Sequence, residues 1–249
     1  MNDARKPWYR DPPVLIPTLL AVLGIITGVG ALIRGCAEPP PNLSVIYIVD
    51  RSSRMGGKIG GEAKFPAVRQ EILEQVRDRP DVATALRVTG GGDCSRGYQP
   101  PTVDYARDNA DAFEDALNGV KPGGRSDFAH ALAQAANDLV SNDVAAESKS
   151  RTIFVAVAGA DSCAGDQTVT VIDRALRDLR AEKEVDMTFK FVGIKPSQRM
   201  KRLLRKVEGR VDDLGFRGET VIADTPEELA DAIPDTPSPD EEEYEDDEG

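Results

Sequence analysis

The residues of this 249-residue chain that could do chemistry fall into three short loops. The first reads Asp50-Arg51-Ser52-Ser53-Arg54-Met55-Gly56-Gly57 and the second Pro122-Gly123-Gly124-Arg125-Ser126-Asp127. The third reads Ala158-Gly159-Ala160-Asp161-Ser162-Cys163-Ala164-Gly165-Asp166. Asp50, Ser52 and Ser126 are hard oxygen donors of the kind that hold Mg²⁺, an ion that demands near-octahedral oxygen coordination and usually takes one or two carboxylates. Ser52 with Asp50 is also the one nearby pairing that resembles a nucleophile with a base, but no imidazole or lysine in that loop could activate the serine. Enzymatic activity is therefore not expected.

Other constellations are weaker. His130 is the only histidine, and Cys36, Cys94 and Cys163 form no Cys-x-x-Cys pair or cysteine–histidine cluster. A structural zinc site and a histidine-based dyad within one chain are not expected. His130 sits in an alanine-rich helical stretch and reads as a helix-surface or packed imidazole. Gly90-Gly91-Gly92 follows a strand, yet it does not continue into Gly-x-Gly-x-x-Gly, and no phosphate-binding Gly-x-x-x-x-Gly-Lys-Ser/Thr loop occurs.

The elements that must position these loops alternate in type. The run Ser44-Val45-Ile46-Tyr47-Ile48-Val49-Asp50 is apolar, β-branched and ends in a carboxylate, as a buried strand of a parallel sheet does. Phe65, Val68, Ile72, Leu73 and Val76 recur at helical spacing with Pro66 in the first turn. Residues 82–88 read as the next strand and 102–105 as a short one. Residues 108–120 read as a helix, and a second helix capped by Ser126 or Asp127 carries Phe128, Ala131, Leu132, Ala135 and Leu139 on one face. Strands over 152–158, 187–194 and 220–223 alternate with helices marked by Ile172, Leu176 and Leu179, by Met200, Leu203, Leu204 and Val207, and by residues 226–233. The fold class expected is α/β, a doubly wound, mainly parallel sheet with helices on both faces. In such sheets ligands bind at the carboxyl ends of the strands, where the three loops lie.

With these loops in this order, residues 43–233 resemble the von Willebrand factor A (VWA) family, and more closely its bacterial membrane-anchored or secreted members. The first loop is similar to the family's Asp-x-Ser-x-Ser metal-ion-dependent adhesion site. Asp50 and Ser52 match its first two ligands, Arg54 stands where the second serine would be, and Ser126 matches the threonine of the second loop. The family's Asp-Gly in the third loop is Ala158-Gly159 here. Cys94 and Cys163 resemble a cysteine pair of the secreted bacterial members, and the resemblance implies a disulfide between them, closing a loop of about 70 residues worth ~4 kcal/mol in the chain-entropy model. Such a bond persists in an oxidising compartment.

Metal binding is expected to be lost or severely weakened. Ala158 removes the second carboxylate, and Arg54 brings positive charge into the loop. At about 4 Å two unit charges repel by ~4 kcal/mol at an effective dielectric of 20, and a divalent ion doubles that. Three readings of Arg54 stay open: a guanidinium paired with Asp50 and bonded to Ser52 or Ser126, a surface arginine, or a contact to a partner. Asp161 and Asp166 could supply a replacement carboxylate or act as solvated turn formers. The ligand-binding residues expected are Asp50, Ser52, Ser53, Arg54, Ser126 and Asp161, with Asp50, Ser52 and Ser126 as the remnant of a metal site.

Residues 14–33 are twenty consecutive positions without a charge, enough to cross a hydrocarbon core of ~30 Å as one transmembrane helix. Trp8 and Tyr9 precede the span. Arg5, Lys6 and Arg10 outweigh Arg34, which places residues 1–13 in the cytoplasm and the C-terminal domain outside. A cleaved signal peptide would have a shorter apolar region. Leu32-Ile33-Arg34-Gly35-Cys36 is similar to a bacterial lipoprotein box except at Arg34, so Cys36 is left open as lipidated, paired between two chains, or free. Residues 34–42, with Glu38-Pro39-Pro40-Pro41-Asn42, form a proline-rich stalk. Residues 234–249 combine proline, serine and dense acid and are expected to be a disordered tail.

The formal charge is −12, but nine acidic residues lie between Asp235 and Glu248. Without them about −3 remains, so the domain's net charge selects no partner. It carries no concentrated basic footprint for nucleic acid. Seven basic residues between Lys195 and Arg210 surround a helical apolar stripe and read as a solvated face or as a contact for an acidic partner or for the acidic tail. The leading expectation is a membrane-tethered, outward-facing interaction module on the cell envelope that binds a protein or envelope ligand without a cofactor. The alternatives are Mg²⁺-dependent adhesion and a structural assembly subunit dimerised through Cys36.

Overall fold

The structure is a computed structural model that describes residues 42–92, 94, 98–182 and 186–233. The expected cytoplasmic segment, transmembrane helix and acidic tail, and the stalk up to residue 41, lie outside the described residues, and among the described residues no helix is long and apolar enough to cross a membrane.

The first strand, β1 (Leu43–Asp50), is buried at every position. It sends Ile46 and Ile48 into one core and Val45, Tyr47 and Val49 into another, as the two-residue period of a strand covered on both faces requires. A hairpin of β2 (Lys58–Ile59) and β3 (Glu62–Ala63) leads into α1 (Lys64–Asp78), then β4 (Ala83–Thr89), β5 (Val103–Ala106) and α2 (Ala110–Asn118). Next come α3 (Phe128–Ser141), the single turn α4 (Asp143–Ala146), β6 (Ser150–Val157), α5 (Thr168–Glu182), β7 (Met187–Ile194), α6 (Gln198–Asp213), β8 (Arg217–Ala223) and α7 (Pro226–Ala232).

The six-stranded sheet runs in the order β5-β4-β1-β6-β7-β8. Every pair is parallel except β4 with β5. Helices α3, α5 and α6 cover one face, and α1, α2 and α7 the other, so the expected doubly wound architecture is what forms. The hairpin and α4 are additions that periodicity did not reveal. From β1 the chain moves outward to β4, whereas from β6 it moves the other way to β7. The strand order therefore reverses between β1 and β6, which opens a crevice at the carboxyl ends of these two strands.

Candidate functional site at the carboxyl edge of the sheet

Asp50 ends β1 at that reversal and is fully buried. Its Oδ1 accepts from the Ser52 backbone N–H (2.9 Å) and its Oδ2 from the Ser52 hydroxyl (2.7 Å). Burial still dominates, pushing the Asp50 pKa from 3.8 up to about 6 against the opposing pull of Ser52 and Ser126. The Ser126 hydroxyl helps to stabilise the Asp50 carboxylate, yet its geometry completes no hydrogen bond and its oxygen is a buried polar atom without a partner. The structure therefore brings Asp50, Ser52 and Ser126 together, as the resemblance implied.

Arg54 behaves otherwise. Its side chain is exposed, its stem lies over Gly159, and its charge is felt by Lys64. Of the three readings of Arg54, the structure favours the surface arginine, and among the described residues no ion pair joins it to Asp50. The reason is steric direction: the short helical turn Ser53–Gly56 carries the Arg54 stem across the third loop, away from the buried carboxylate. Ser53 is also exposed, and its backbone N–H donates to Gly124 O.

Asp161 is neither a solvated turn former nor a spare ligand. It is buried, Oδ2 accepts from Ala129 N (2.7 Å), and Oδ1 accepts from Cys163 N (2.8 Å) and Ala164 N (2.7 Å). It thus caps α3 from a different loop, where a helix N-terminus favours negative charge, while burial raises its pKa. This explains why Asp127, at the N-cap position, makes no side-chain cap bond; its Oδ1 lies 2.5 Å from His130 Nδ1 instead. Asp127, Asp161 and Cys163 cluster closely, but Cys163 is disulfide-bonded and both carboxylates are committed. Asp166 is exposed and pairs with Arg199.

The donor set available to a divalent cation can be read from these bonds. Among the described residues of these loops, Asp50 is the carboxylate beside Ser52 and Ser126, Ala158 contributes no donor, Asp127 is engaged by His130, and both oxygens of Asp161 accept from backbone N–H groups.

Three features of this edge were not legible in the sequence. Gly90 and Gly91 serve close packing of loops: at Gly124 (φ 68°) a Cβ would lie 2.5 Å from Gly91 O, and at Gly90 (φ 84°) 2.5 Å from Arg125 O. Backbone bonds fasten the same loops, Gly91 N to Arg125 O, Gly123 N to Arg51 O and Ser162 N to Ser126 O. Beside them lies a cleft of about 420 Å³ lined by Arg51, Arg125 and His130 among others. Its inner wall holds the buried Arg87–Asp138 ion pair, to which Tyr98 Oη donates (2.9 Å) and over whose guanidinium the Tyr98 ring lies. Cys94 and Cys163 form the disulfide that the resemblance implied, with Cα atoms 5.3 Å apart.

No family model matches the chain, and no curated protein matches it. Solved structures do. The SpRpn10 VWA domain superposes with a TM-score of 0.54 at 12% identity, covering 76% of this chain and 93% of that one. The domain has the von Willebrand factor type A fold. A VWA protein from Catenulispora acidiphila gives a TM-score of 0.53 at 18% identity over 78% of this chain and 41% of that one. The PilB minor pilin from Streptococcus sanguinis gives 0.63 at 10% identity, covering 79% of this chain. This chain spans 60% of that pilin's length. Within the VWA fold, Asp50, Ser52 and Ser126 occupy the carboxyl edge where the strand order reverses.

Proposed function

We propose that this VWA domain is a protein-interaction module that binds through the loops after β1, α2 and β6 without a metal ion. The observation that carries the reading is the donor set: one buried carboxylate, Asp50, two hydroxyls, and no second carboxylate free to offset the charge of a divalent cation. The similarity to a minor pilin and to a pilus adhesin, SpaC from Lactobacillus rhamnosus GG, supports an interaction or adhesion role. Residues 14–33 tether the domain to the cell membrane and place it on the outer side. The Cys94–Cys163 disulfide supports that placement, because such bonds persist in oxidising compartments. No enzymatic role is proposed: the Ser52 hydroxyl donates to Asp50, and His130 is engaged by Asp127.

Calorimetric titration of Mg²⁺, Mn²⁺ and Ca²⁺ into the full-length chain tests the reading, with Arg54→Ser/Ala158→Asp as the restored control. The expected result is no heat of binding in the wild type and binding in the control. Tight wild-type binding would overturn the metal-free reading and return the domain to Mg²⁺-dependent adhesion.

A further inference from the structure

Among the described residues, the cations of the loops that border the cleft are not paired with the carboxylates beside them, of which Asp50 is buried and bonded to Ser52. In the loops at 51–57, 90–92, 119–127 and 158–167 the acidic residues are Asp127, Asp161 and Asp166. Each is committed inside the domain, to His130, to three backbone N–H groups and to Arg199 respectively. The cations of these loops are Arg51, Arg54, Lys121 and Arg125, and among the described residues none of the four pairs with a carboxylate. Two of them face the cleft and are already oriented. Arg51 Nε donates to Gly90 O (2.8 Å) and Arg125 Nη2 to Ser162 O (2.6 Å). A backbone carbonyl fixes each guanidinium without neutralising it.

We propose that this cleft receives an acidic segment of a partner protein, whose carboxylates pair with Arg51 and Arg125. The proposal rests on the metal-free reading above, since the arginines supply the positive charge that a cation would otherwise bring. A planar guanidinium takes a carboxylate through two parallel hydrogen bonds, and holding the fork in place beforehand reduces the ordering cost of association. The buried Arg87 is already saturated by Asp138 and adds no free charge. Val88, Pro100 and Val120 also line the cleft, so the aliphatic stems of glutamates find apolar surface beside the charges. Nucleic acid would need an extended basic footprint along its backbone, whereas here two arginines flank a compact cleft.

The test titrates a fluorescent oligoglutamate peptide into the full-length chain in EDTA, with oligolysine as the control peptide. Saturable binding of oligoglutamate alone is expected. Arg51→Gln/Arg125→Gln should weaken it at least about tenfold, the weight of a lost charge-assisted hydrogen bond. Arg202→Gln/Arg205→Gln, on the exposed face of α6, should change it by less than about twofold. Arg125 is exposed, so Arg125→Gln alone keeps the test valid if the double variant fails to fold. No saturable binding, or equal loss in both double variants, would overturn the cleft while leaving the metal-free reading intact. Binding that appears only when the titration is repeated with Mg²⁺ in place of EDTA, and that survives in the cleft variant, would overturn both. Binding that appears only after the acids of residues 235–248 are replaced by amides would assign the cleft to this chain's own tail and overturn the partner.

Discussion

The stem of Arg54 lies so close over Gly159 that a Cβ at Gly159 would come 2.6 Å from Arg54 Cγ and 3.1 Å from its Cβ. Neither atom is the far end of a flexible chain, so a methyl group there forces the Arg54 side chain or the loop to shift. Gly159→Ala is expected to destabilise the domain by about 1–3 kcal/mol, the usual cost of overpacking. Adding Arg54→Ala should recover most of the loss in a double-mutant cycle of thermal unfolding. Additive effects of the two substitutions would mean that the contact is not the cause.

Asp50→Asn is expected to stabilise the protein at neutral pH. Burial raises the folded-state pKa from 3.8 to about 6, so the folded protein prefers the protonated side chain. That contribution is fully present below pH 3.8 and is lost as pH rises through about 6; the span corresponds to roughly 3 kcal/mol. Wild-type stability in chelator should therefore fall between these limits relative to the asparagine variant, whose side chain does not titrate. Parallel stability–pH curves for the two proteins would contradict the assignment.

The Arg87–Asp138 pair spans β4 and α3 with both side chains about 95% buried. Arg87→Met should cost about 3–5 kcal/mol, because it strands the Asp138 carboxylate in the interior. Arg87→Met/Asp138→Leu should be far less harmful, since replacing both charges leaves none uncompensated. Denaturant unfolding of the three proteins decides the matter.

Reducing the Cys94–Cys163 disulfide should lower stability by about 2–4 kcal/mol through the freedom returned to the unfolded chain. Cys94→Ser/Cys163→Ser should show the same loss, and its melting temperature should not respond to a reductant. A reductant effect that persists in the double variant would place the sensitivity elsewhere.

Much of the fold was legible because burial on both faces writes itself into a strand as an unbroken apolar run. β7 (Met187–Ile194) has the bounds its residues suggest, and β1 is as buried as its composition implies. The meeting of Asp50, Ser52 and Ser126 was legible too, through loop order and resemblance. What stayed hidden depends on distance along the chain or on the direction of one side chain. Asp161 caps a helix that begins 33 residues earlier, at Phe128, and no local pattern announces such a bond. Charge alone left Arg54 with three readings, pairing with Asp50 among them, whereas the turn that carries it points its stem over Gly159. The hairpin β2–β3 has two residues per strand, too few for any period to show.

The glycine contacts between loops have a consequence for how a ligand is met. Gly124 rests on Gly91 and Gly90 on Arg125, backbone against backbone with no side chain to act as a cushion, and hydrogen bonds fasten the same segments. Such an edge has little room to reshape itself around a visitor. On the proposed function, recognition at this edge is docking onto a finished surface, and changes here that weaken a partner should shorten the lifetime of the complex more than they slow its formation.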